Sequence, residues 1–392
     1  LVTPITEDLG WSTTVISQGF LISGLIGAAL APVFGTAFDR FGPKVVVASG
    51  LAAGAVGFLL VSWMTTSWHF YIAWTLAGIG PIAIYNGAVP AVANWFVHMR
   101  GRALGLTIIG EGLGGFVAPV MLVLVNLIGW RGAVTVVAVG IIVFLLPLVL
   151  VLRRRPEDYG QLPDGAARDP HDEDLGEAVQ EIEGLTLQEA LRTKAFWGLA
   201  FVFALGFLPI GGTTVHLSPF LEGGDVSRGI IAAVLTFMAV GAISGQLGGG
   251  WLVDRMDPRR VAFAALGLQA LGMTALSQVT GDGQWLLILF IAGLAPGFGG
   301  VTVLWPALLG IYFGRRSFGS IQGVLWTLTA GAFAAAPLTL GWLSEVLDGY
   351  PSAILIYGAM SGIGAIACFR LPRPGQFIVA GQSVRPENSA SA

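Results

Sequence analysis

One carboxylate of this chain, Glu111, lies deep inside a run of apolar residues. It follows Arg102 by nine positions, which corresponds to about 13 Å along a helix that rises 1.5 Å per residue. A charge in such surroundings is costly, and acids placed in this way commonly serve proton or ion pathways. Glu111 is therefore predicted to couple proton movement. A structural bond to a backbone group or to an arginine of a loop is the alternative.

A histidine and a Tyr-Asn pair are the next candidates for chemistry. His216 follows the glycine- and threonine-rich run 211–215, where we expect a loosened helix with free carbonyl groups. Because histidine titrates near neutrality, His216 is a candidate for coupling or solute binding, with an interfacial histidine as the alternative. Tyr85 and Asn86 lie near the middle of an apolar segment and could bond a polar solute. Three further residues could line a solute site, with packing as the alternative for each aromatic: Trp305, Gln322 and Trp326.

A ten-residue pattern occurs twice in the chain, 215 positions apart. Each copy ends an apolar segment with a glycine, an Asp-Arg pair, a proline-bearing turn and a second base. Glycine allows close helix approach, and the aspartate can accept hydrogen bonds from a helix N-terminus or an arginine. We therefore predict a conformational latch rather than a topology signal alone. Its residues are Gly35, Asp39, Arg40 and Lys44 in the first copy, and Gly250, Asp254, Arg255 and Arg259 in the second.

A second set of landmarks recurs at nearly the same offset. Phe96 is repeated as Phe313, 217 positions later, and Pro119 as Pro337, 218 positions later. Two kinds of turn in the same order at one offset indicate that half of the chain is duplicated.

The composition identifies the surroundings in which these residues act. Hydrophobic residues make up 55% of the chain and charged residues 11%, with a mean hydropathy of +0.78, whereas soluble domains carry about 25% charge. Because lipid leaves open backbone groups unsatisfied, the crossing segments must be helices, and we predict an all-α membrane protein. Eleven segments have the required length: about 12–38, 43–64, 69–97, 102–127, 131–153, 195–221, 226–254, 259–279, 284–313, 317–346 and 350–371.

The basic residues predict an orientation in the plasma (inner) membrane. One set of turns, together with the tail after position 369, holds 18 of the 20 lysines and arginines, and the opposite set holds only Arg131 and Arg228. Positive residues concentrate on the cytoplasmic side. We therefore expect the start of this chain outside and its end in the cytoplasm.

The offset also predicts the division into domains. Position 1 corresponds to position 216, at the end of a crossing segment, so we expect the first helix of a twelve-helix protein to be absent. The expected parts are a five-helix bundle at 1–153, a cytoplasmic linker at 154–194, a six-helix bundle at 195–373 and a disordered tail at 374–392. The stretch 153–194 contains 11 of the 23 acidic residues and is too polar to form a core, although its end predicts a short amphipathic helix.

The repeated turn resembles the cytoplasmic signature of the major facilitator superfamily, between its helices 2 and 3 and again between helices 8 and 9. The segment from Trp95-Phe96 through Met99-Arg100 to Ala103-Leu104-Gly105 is similar to the helix 4–5 signature of the monocarboxylate and oxalate–formate antiporter branches. The resemblance implies two pseudo-symmetric helix bundles that rock about a midplane cavity. It also implies that the latch holds the cytoplasmic ends together while the outside is open.

The expected substrate follows from the resemblance and from one departure. Carboxylate carriers of these branches usually place an arginine in helix 8, and oxalate carriers add a lysine in helix 11, but 229–253 and 317–344 contain no base. We expect a secondary active transporter of a small organic solute, such as a monocarboxylate or related organic anion, coupled to protons. The alternative is an exchanger or efflux carrier of a neutral or amphipathic solute.

Other classes of function find little support in the sequence. An intramembrane enzyme would need a cluster such as His-x-x-x-His or Gly-x-Ser-x-Gly, and a sensor would need an ordered signalling domain. The pattern Gly-x-x-x-x-Gly-Lys-Ser/Thr of ATP-binding loops does not occur. The single Cys368 excludes an internal disulfide or a cysteine metal site. We expect no cofactor, metal or nucleic acid, and a monomer in the lipid bilayer.

Overall fold

The computed structural model describes residues 2–113, 117–166, 184–279, 283–347, 349–372, 378–379 and 382–383. Seven α-helices come first: α1 (Val2–Leu9), α2 (Thr13–Phe41), α3 (Pro43–Trp63), α4 (Ser67–Trp95), α5 (Arg100–Leu113), α6 (Val117–Gly140) and α7 (Leu146–Leu148). A π-helical turn, Ile141–Leu145, joins α6 to α7, and short 3-10 turns follow at Val149–Val151, Glu157–Tyr159 and Pro163–Gly165.

The second part of the chain is built in the same way. Its helices are α8 (Leu187–Leu191), α9 (Lys194–Gly223), α10 (Arg228–Val253), α11 (Pro258–Ser277), α12 (Leu286–Phe313), α13 (Phe318–Val346) and α14 (Tyr350–Cys368). The predicted all-α class is confirmed. After α14, the described residues of the tail form one antiparallel pair of two-residue strands, β1 (Ile378–Val379) and β2 (Gln382–Ser383).

Ten helical stretches of the described chain are long and apolar enough to cross a membrane. The difference from the predicted eleven lies between 100 and 151. There α5 has only 14 residues, positions 114–116 lie outside the described residues, and one stretch runs from Pro119 to Val151. Gly129 interrupts that stretch with φ 74° and ψ 166°, values that no helical residue adopts. The split into five and six spans therefore remains a prediction.

The chain forms two compact units that are not contiguous in sequence. The first consists of Leu1–Trp95, Leu113–Gln180 and Ser317–Thr327, and the second of Phe96–Gly112, Glu181–Arg316 and Leu328–Ala392. The first turns of α13 thus belong to the first unit, and most of α5 belongs to the second. The predicted domain boundaries, including the linker at 154–194, remain predictions.

Helix packing repeats between the units, as the sequence duplication requires. In the first unit α4 packs against α2 and α3, and α6 packs against α3. In the second unit α12 packs against α10 and α11, and α14 packs against α11. Each of these three contacts of the second unit is the counterpart of a contact in the first, about 216 positions later in the chain.

The loosened helix expected at 211–215 is absent, because α9 runs unbroken from Lys194 to Gly223. The hydroxyl of Thr213 donates to the carbonyl of Pro209 at 2.9 Å. A Cβ on Gly211 would lie 2.7 Å from the Phe333 carbonyl oxygen, and one on Gly212 would lie 2.9 Å from the Tyr357 ring. These glycines therefore serve close packing against α13 and α14 rather than unwinding.

The end of the predicted linker is held against the second unit. The amide of Leu185 donates to the carbonyl of Phe313 at 2.8 Å, and Thr186 and Glu189 cap α8 reciprocally. These bonds to Thr186 hold the pKa of the Glu189 carboxyl below its usual value. A short helix is thus present where the sequence predicted one.

Candidate functional site

The first copy of the repeated turn places Asp39 at the end of α2, against the start of α13. Its carboxylate accepts three hydrogen bonds, from the Gly319 amide at 3.0 Å, the Ser320 amide at 2.7 Å and the Ser320 hydroxyl at 2.6 Å. These amides belong to the first turn of α13, where N–H groups lack partners within the helix. Asp39 therefore caps a helix 280 positions away in the chain.

The second copy repeats this arrangement with different chemistry. The Asp254 carboxylate accepts from the Gly101 amide at 2.6 Å and from the Arg102 amide at 3.0 Å, both in the first turn of α5. It also accepts from Nε of Arg102 at 3.1 Å. The Asp254 side chain is 5% exposed and that of Arg102 is 45% exposed. A guanidinium in the second copy thus stands where the first copy has a serine hydroxyl.

Glycines let both pairs of helices approach this closely. A Cβ on Gly35 would collide with the carbonyl oxygen of Gly319, and a Cβ on Gly250 would collide with that of Gly101. The reverse also holds, because a Cβ on Gly319 would lie 2.5 Å from the Gly35 carbonyl oxygen. Each aspartate therefore acts at a crossing where two backbones touch.

The four bases of the pattern lie around these contacts. Arg40 is exposed and stacks on Phe41, with its guanidinium carbon 5.1 Å from the ring centre. Lys44 is exposed in the first turn of α3. Arg255 stacks on Trp251 at 4.1 Å.

Arg259 forms an ion pair with Asp257 at 2.7 Å and donates to the Leu371 carbonyl at 3.3 Å. Its side-chain hydrogen bonds hold the pKa of the Asp257 carboxyl below its usual value. In the first unit, Arg154 donates to the carbonyl of Asp39. Each turn is therefore hydrogen-bonded to the segment that follows the last helix of the same half of the chain.

Three of the candidate solute residues meet in the first unit. The side chain of Gln322 donates to the Tyr85 carbonyl at 3.5 Å, and the rings of Tyr85 and Trp326 lie 5.1 Å apart between centres. Asn86, next to Tyr85, is 1% exposed and donates to the Ile82 carbonyl at 2.9 Å. The side-chain oxygens of Asn86 and Gln322 are buried and have no hydrogen-bond partner in the described structure.

His216 is bonded through both ring nitrogens within the second unit. Its Nε2 lies 2.8 Å from the carbonyl oxygen of Pro337 on α13, and its Nδ1 lies 3.1 Å from the hydroxyl of Tyr350 on α14. A carbonyl only accepts, so Nε2 carries the proton and donates. Both nitrogens of His216 thus have partners within the protein, and the two bonds connect α9 to α13 and α14.

The remaining two candidates are Trp305 and Glu111. Trp305 is fully buried in α12, in the second unit. Glu111 lies on α5, and its side chain is outside the part that the structure describes. Across the described residues, no three His, Cys, Asp or Glu side chains come together as a metal site would require.

The sequence analysis missed the partners of the two aspartates. These are Gly319 and Ser320 for Asp39, and Gly101 and Arg102 for Asp254. Gly101 and Gly319 are themselves related by an offset of 218 positions. That repeat could have predicted the partners, because two equivalent acceptors in a duplicated chain are expected to have two equivalent donors.

A further ion pair that the sequence analysis did not identify lies at the opposite end of the first unit. Asp8 accepts hydrogen bonds from Trp130 Nε1 at 3.2 Å and from Arg131. The Arg131 guanidinium also stacks on the Trp130 ring at 4.2 Å. The hydrogen bond from Arg131, and then that from Trp130, hold the pKa of the Asp8 carboxyl below its usual value.

The family follows from comparison with known proteins. The sequence profile of the Major Facilitator Superfamily matches residues 1–248 and 224–385. The chain therefore belongs to the Major Facilitator Superfamily, as its motifs predicted. This family comprises membrane transporters rather than enzymes.

Individual relatives are similar along most of the chain. The oxalate:formate antiporter of Oxalobacter formigenes is 27% identical, covering 99% of this chain and 90% of the antiporter. Human monocarboxylate transporter 11 is 26% identical, covering 94% of this chain and 75% of the transporter. The predicted resemblance to these two branches is thereby confirmed.

Solved structures confirm the fold. The proton:xylose symporter XylE, bound to 6-bromo-6-deoxy-D-glucose, superposes with a TM-score of 0.67 at 17% identity, covering 91% of this chain and 85% of the symporter. The chain thus has the major facilitator fold. It is a multi-pass membrane protein, and its family supports membrane transport of a small solute.

Proposed function

We propose that this chain is a secondary active transporter of a monocarboxylate or related organic anion, coupled to protons and working by alternating access. The observation that carries the proposal is the pair of matching contacts, Asp39 on the start of α13 and Asp254 on the start of α5. Two equivalent contacts in a duplicated chain form a symmetric latch. Relatives named as an oxalate:formate antiporter and as monocarboxylate transporters support the substrate class.

The strength of such a contact suits a switch. A hydrogen bond to a charged group contributes about 1.5–3 kcal/mol net, and each aspartate accepts three of them. Shifting a protein from 99% in one conformation to 99% in the other takes about 5.5 kcal/mol. A contact of this size therefore biases the conformations strongly, yet a solute and a proton could reverse the bias.

In this proposal Glu111 carries the proton, while Tyr85, Asn86, Gln322 and Trp326 contact the solute. His216 and Trp305 position the helices of the second unit. The latch faces the cytoplasm, which agrees with the concentration of bases on that side. The start of the chain lies outside, its end lies inside, and a single copy in the plasma membrane is the working unit.

A neutral solute is the second candidate, and two observations favour it. The segments 229–253 and 317–344 lack the bases that would balance an anion. The buried oxygens of Asn86 and Gln322 lack donors, and buried acceptors are costly without a partner. A hydroxyl-bearing solute would supply such donors, whereas the oxygens of a carboxylate would be repelled by the oxygens of Asn86 and Gln322.

A thermal-unfolding screen of the purified full-length protein distinguishes these candidates. Oxalate, formate and lactate represent the anions, xylose and glycerol the hydroxylated neutral solutes, and choline the amines. A ligand that binds only the native state raises the unfolding temperature, and the rise grows with the logarithm of its concentration above the Kd. Stabilisation by a carboxylate, followed by its pH-driven uptake into proteoliposomes, supports the first proposal. Stabilisation by xylose or glycerol alone contradicts it in favour of the second.

A further inference from the structure

An open groove of about 640 Å³ lies in the second unit, between the first turns of α5 and the last turns of α10. None of the candidate solute residues whose side chains the structure describes is among those that line it. Its lining combines large apolar side chains with one base: Arg102, Leu106, Leu247, Gly248, Trp251 and Leu252.

The apolar wall of the groove faces out of the protein. Leu106 is 70% exposed, and Leu247 and Trp251 are each 48% exposed. Because α10 is a candidate membrane span, its exposed apolar side chains lie against lipid. Gly248 keeps the floor open, since a Cβ there would meet nothing within 4 Å. The groove therefore has the volume and the apolar lining to hold an acyl chain.

Two guanidinium groups stand at one end of this apolar wall. Arg102 lines the groove at the start of α5, and its Nε alone is bonded to Asp254, so its terminal nitrogens contribute four more N–H donors. Arg255 lies just beyond the end of α10, where it is exposed and stacks on Trp251. Arginine binds phosphate through paired N–H donors and stacks readily on aromatic rings.

We propose that this groove binds an anionic phospholipid, such as phosphatidylglycerol. The acyl chain lies along Leu106, Leu247 and Trp251, and the phosphate lies between Arg102 and Arg255. Charge complementarity selects an anionic head group over a zwitterionic one, because two bases there face a single phosphate. The distribution of bases predicts this end of α10 to be cytoplasmic, and anionic lipids attract bases on the cytoplasmic leaflet.

The position of Arg102 links the lipid to the second copy of the repeated turn. The same guanidinium donates to Asp254 and lines the groove. A phosphate in the groove shares this base with Asp254, so lipid composition acts on the contact between α5 and α10.

Fluorescence quenching by brominated lipid tests the proposal directly. The full chain is reconstituted in phosphatidylcholine vesicles that carry a minor fraction of either brominated phosphatidylglycerol or brominated phosphatidylcholine. The signal of Trp251 is the difference between the wild-type protein and Trp251→Phe. We expect phosphatidylglycerol to quench this signal about threefold more strongly, in keeping with one or two bases near an anionic lipid.

Two pairs of variants make the test specific. Arg255→Gln should bring the two lipids to equal quenching, while Arg260→Gln, which removes an exposed base from the start of α11, should leave the preference unchanged. Gly248→Leu should lower quenching by both lipids, while Gly267→Leu, at another glycine with open space around it, should not. Equal quenching of the wild-type protein by the two lipids overturns the proposal. Equal effects of Arg255→Gln and Arg260→Gln would do the same, because they would indicate general attraction by surface charge.

Discussion

At the scale of single residues, the two aspartates of the repeated turn differ in what completes their coordination. Both accept from two backbone amides at the start of a helix, but Asp39 has the Ser320 hydroxyl as its third donor and Asp254 has the Arg102 guanidinium. The Asp39 carboxylate therefore accepts these hydrogen bonds from neutral groups, whereas the Asp254 carboxylate also has a positive charge as a partner. Salt should weaken the second contact more than the first, because an exposed guanidinium is screened.

Replacement of Asp39 by asparagine tests the latch. In Asp39→Asn one carboxylate oxygen becomes an amide nitrogen, which cannot accept the bonds that this oxygen receives from Gly319 or Ser320. Loss of a charge at a partly buried helix N-terminus costs up to about 2 kcal/mol. We expect Asp39→Asn to lower the initial rate of uptake about tenfold, while the protein stays folded. Uptake by proteoliposomes at matched protein content measures this effect, and Asp254→Asn is the symmetric variant. A folded Asp39→Asn protein with the wild-type rate would leave the turn as a topology signal only.

Glu111 carries the prediction about protons. Glu111→Gln preserves the shape of the side chain and removes its titration. We expect this variant to lose accumulation driven by a pH gradient while it retains exchange of solute between preloaded vesicles. Both are measured with the same labelled solute. Unchanged accumulation would assign a structural role to Glu111 and move the search for the proton carrier to His216.

Asp8 predicts a pH dependence of stability. Its pKa in the folded protein lies below the ordinary value of 3.8 because of the bonds from Arg131 and Trp130. Its stabilising contribution is therefore complete above that ordinary value and is lost as the pH falls through the lower, folded pKa. Asp8→Asn should lower the thermal unfolding temperature at neutral pH and reduce the loss on acidification. An identical acid profile for the variant and the wild-type protein would contradict this reading.

At the scale of helices, the close crossings depend on glycines. A Cβ on Gly35 would collide with the Gly319 carbonyl, whereas a Cβ on Gly24 of the same helix would meet nothing within 4 Å. Overpacking costs about 1–3 kcal/mol, and alanine is favoured over glycine inside a helix by about 0.5–1 kcal/mol. The two substitutions should therefore act in opposite directions.

We expect Gly35→Ala to lower both the unfolding temperature and the uptake rate, and Gly24→Ala to leave uptake unchanged with equal or greater stability. Thermal unfolding in detergent and uptake by proteoliposomes measure the two effects. Equal behaviour of the two variants would mean that the crossing of α2 and α13 is not as tight as the structure has it.

At the scale of the whole molecule, the distribution of bases predicts a topology. Asp172 lies in the predicted cytoplasmic linker and Gly283 in the turn before α12, on the predicted outer side. Asp172→Cys and Gly283→Cys, each in a Cys368→Ser background, should react with a membrane-impermeant maleimide from opposite faces of the membrane. Labelling of both from one side would overturn the orientation. The Cys368→Ser protein without an introduced cysteine is the control, and it should not be labelled.

Much of the fold could be predicted from the sequence, because its causes are local. Whether a stretch crosses a bilayer depends on the apolar content of about 20 consecutive residues, which can be counted along the chain. The duplication is equally readable, since Asp39 and Asp254 stand in the same pattern at a constant offset. The same pattern predicted that each aspartate would meet a helix N-terminus or an arginine. The break at Gly129 was less readable, because a single glycine does not reveal its backbone angles.

The partners were decided only by the tertiary structure. Asp39 lies 280 positions from Gly319, and the bond from Gln322 to Tyr85 spans 237 positions. Such contacts depend on the register and crossing of helices, which no local propensity specifies. The run 211–215 illustrates the limit, because glycines that predicted a loosened helix instead fit α9 against α13 and α14. The sequence left two roles for His216, coupling or a plain interfacial position. In the folded chain its ring nitrogens are hydrogen-bonded to the Pro337 carbonyl and the Tyr350 hydroxyl. The sequence thus determined which residues lie in the membrane and which are repeated, while packing between helices determined what each of them touches.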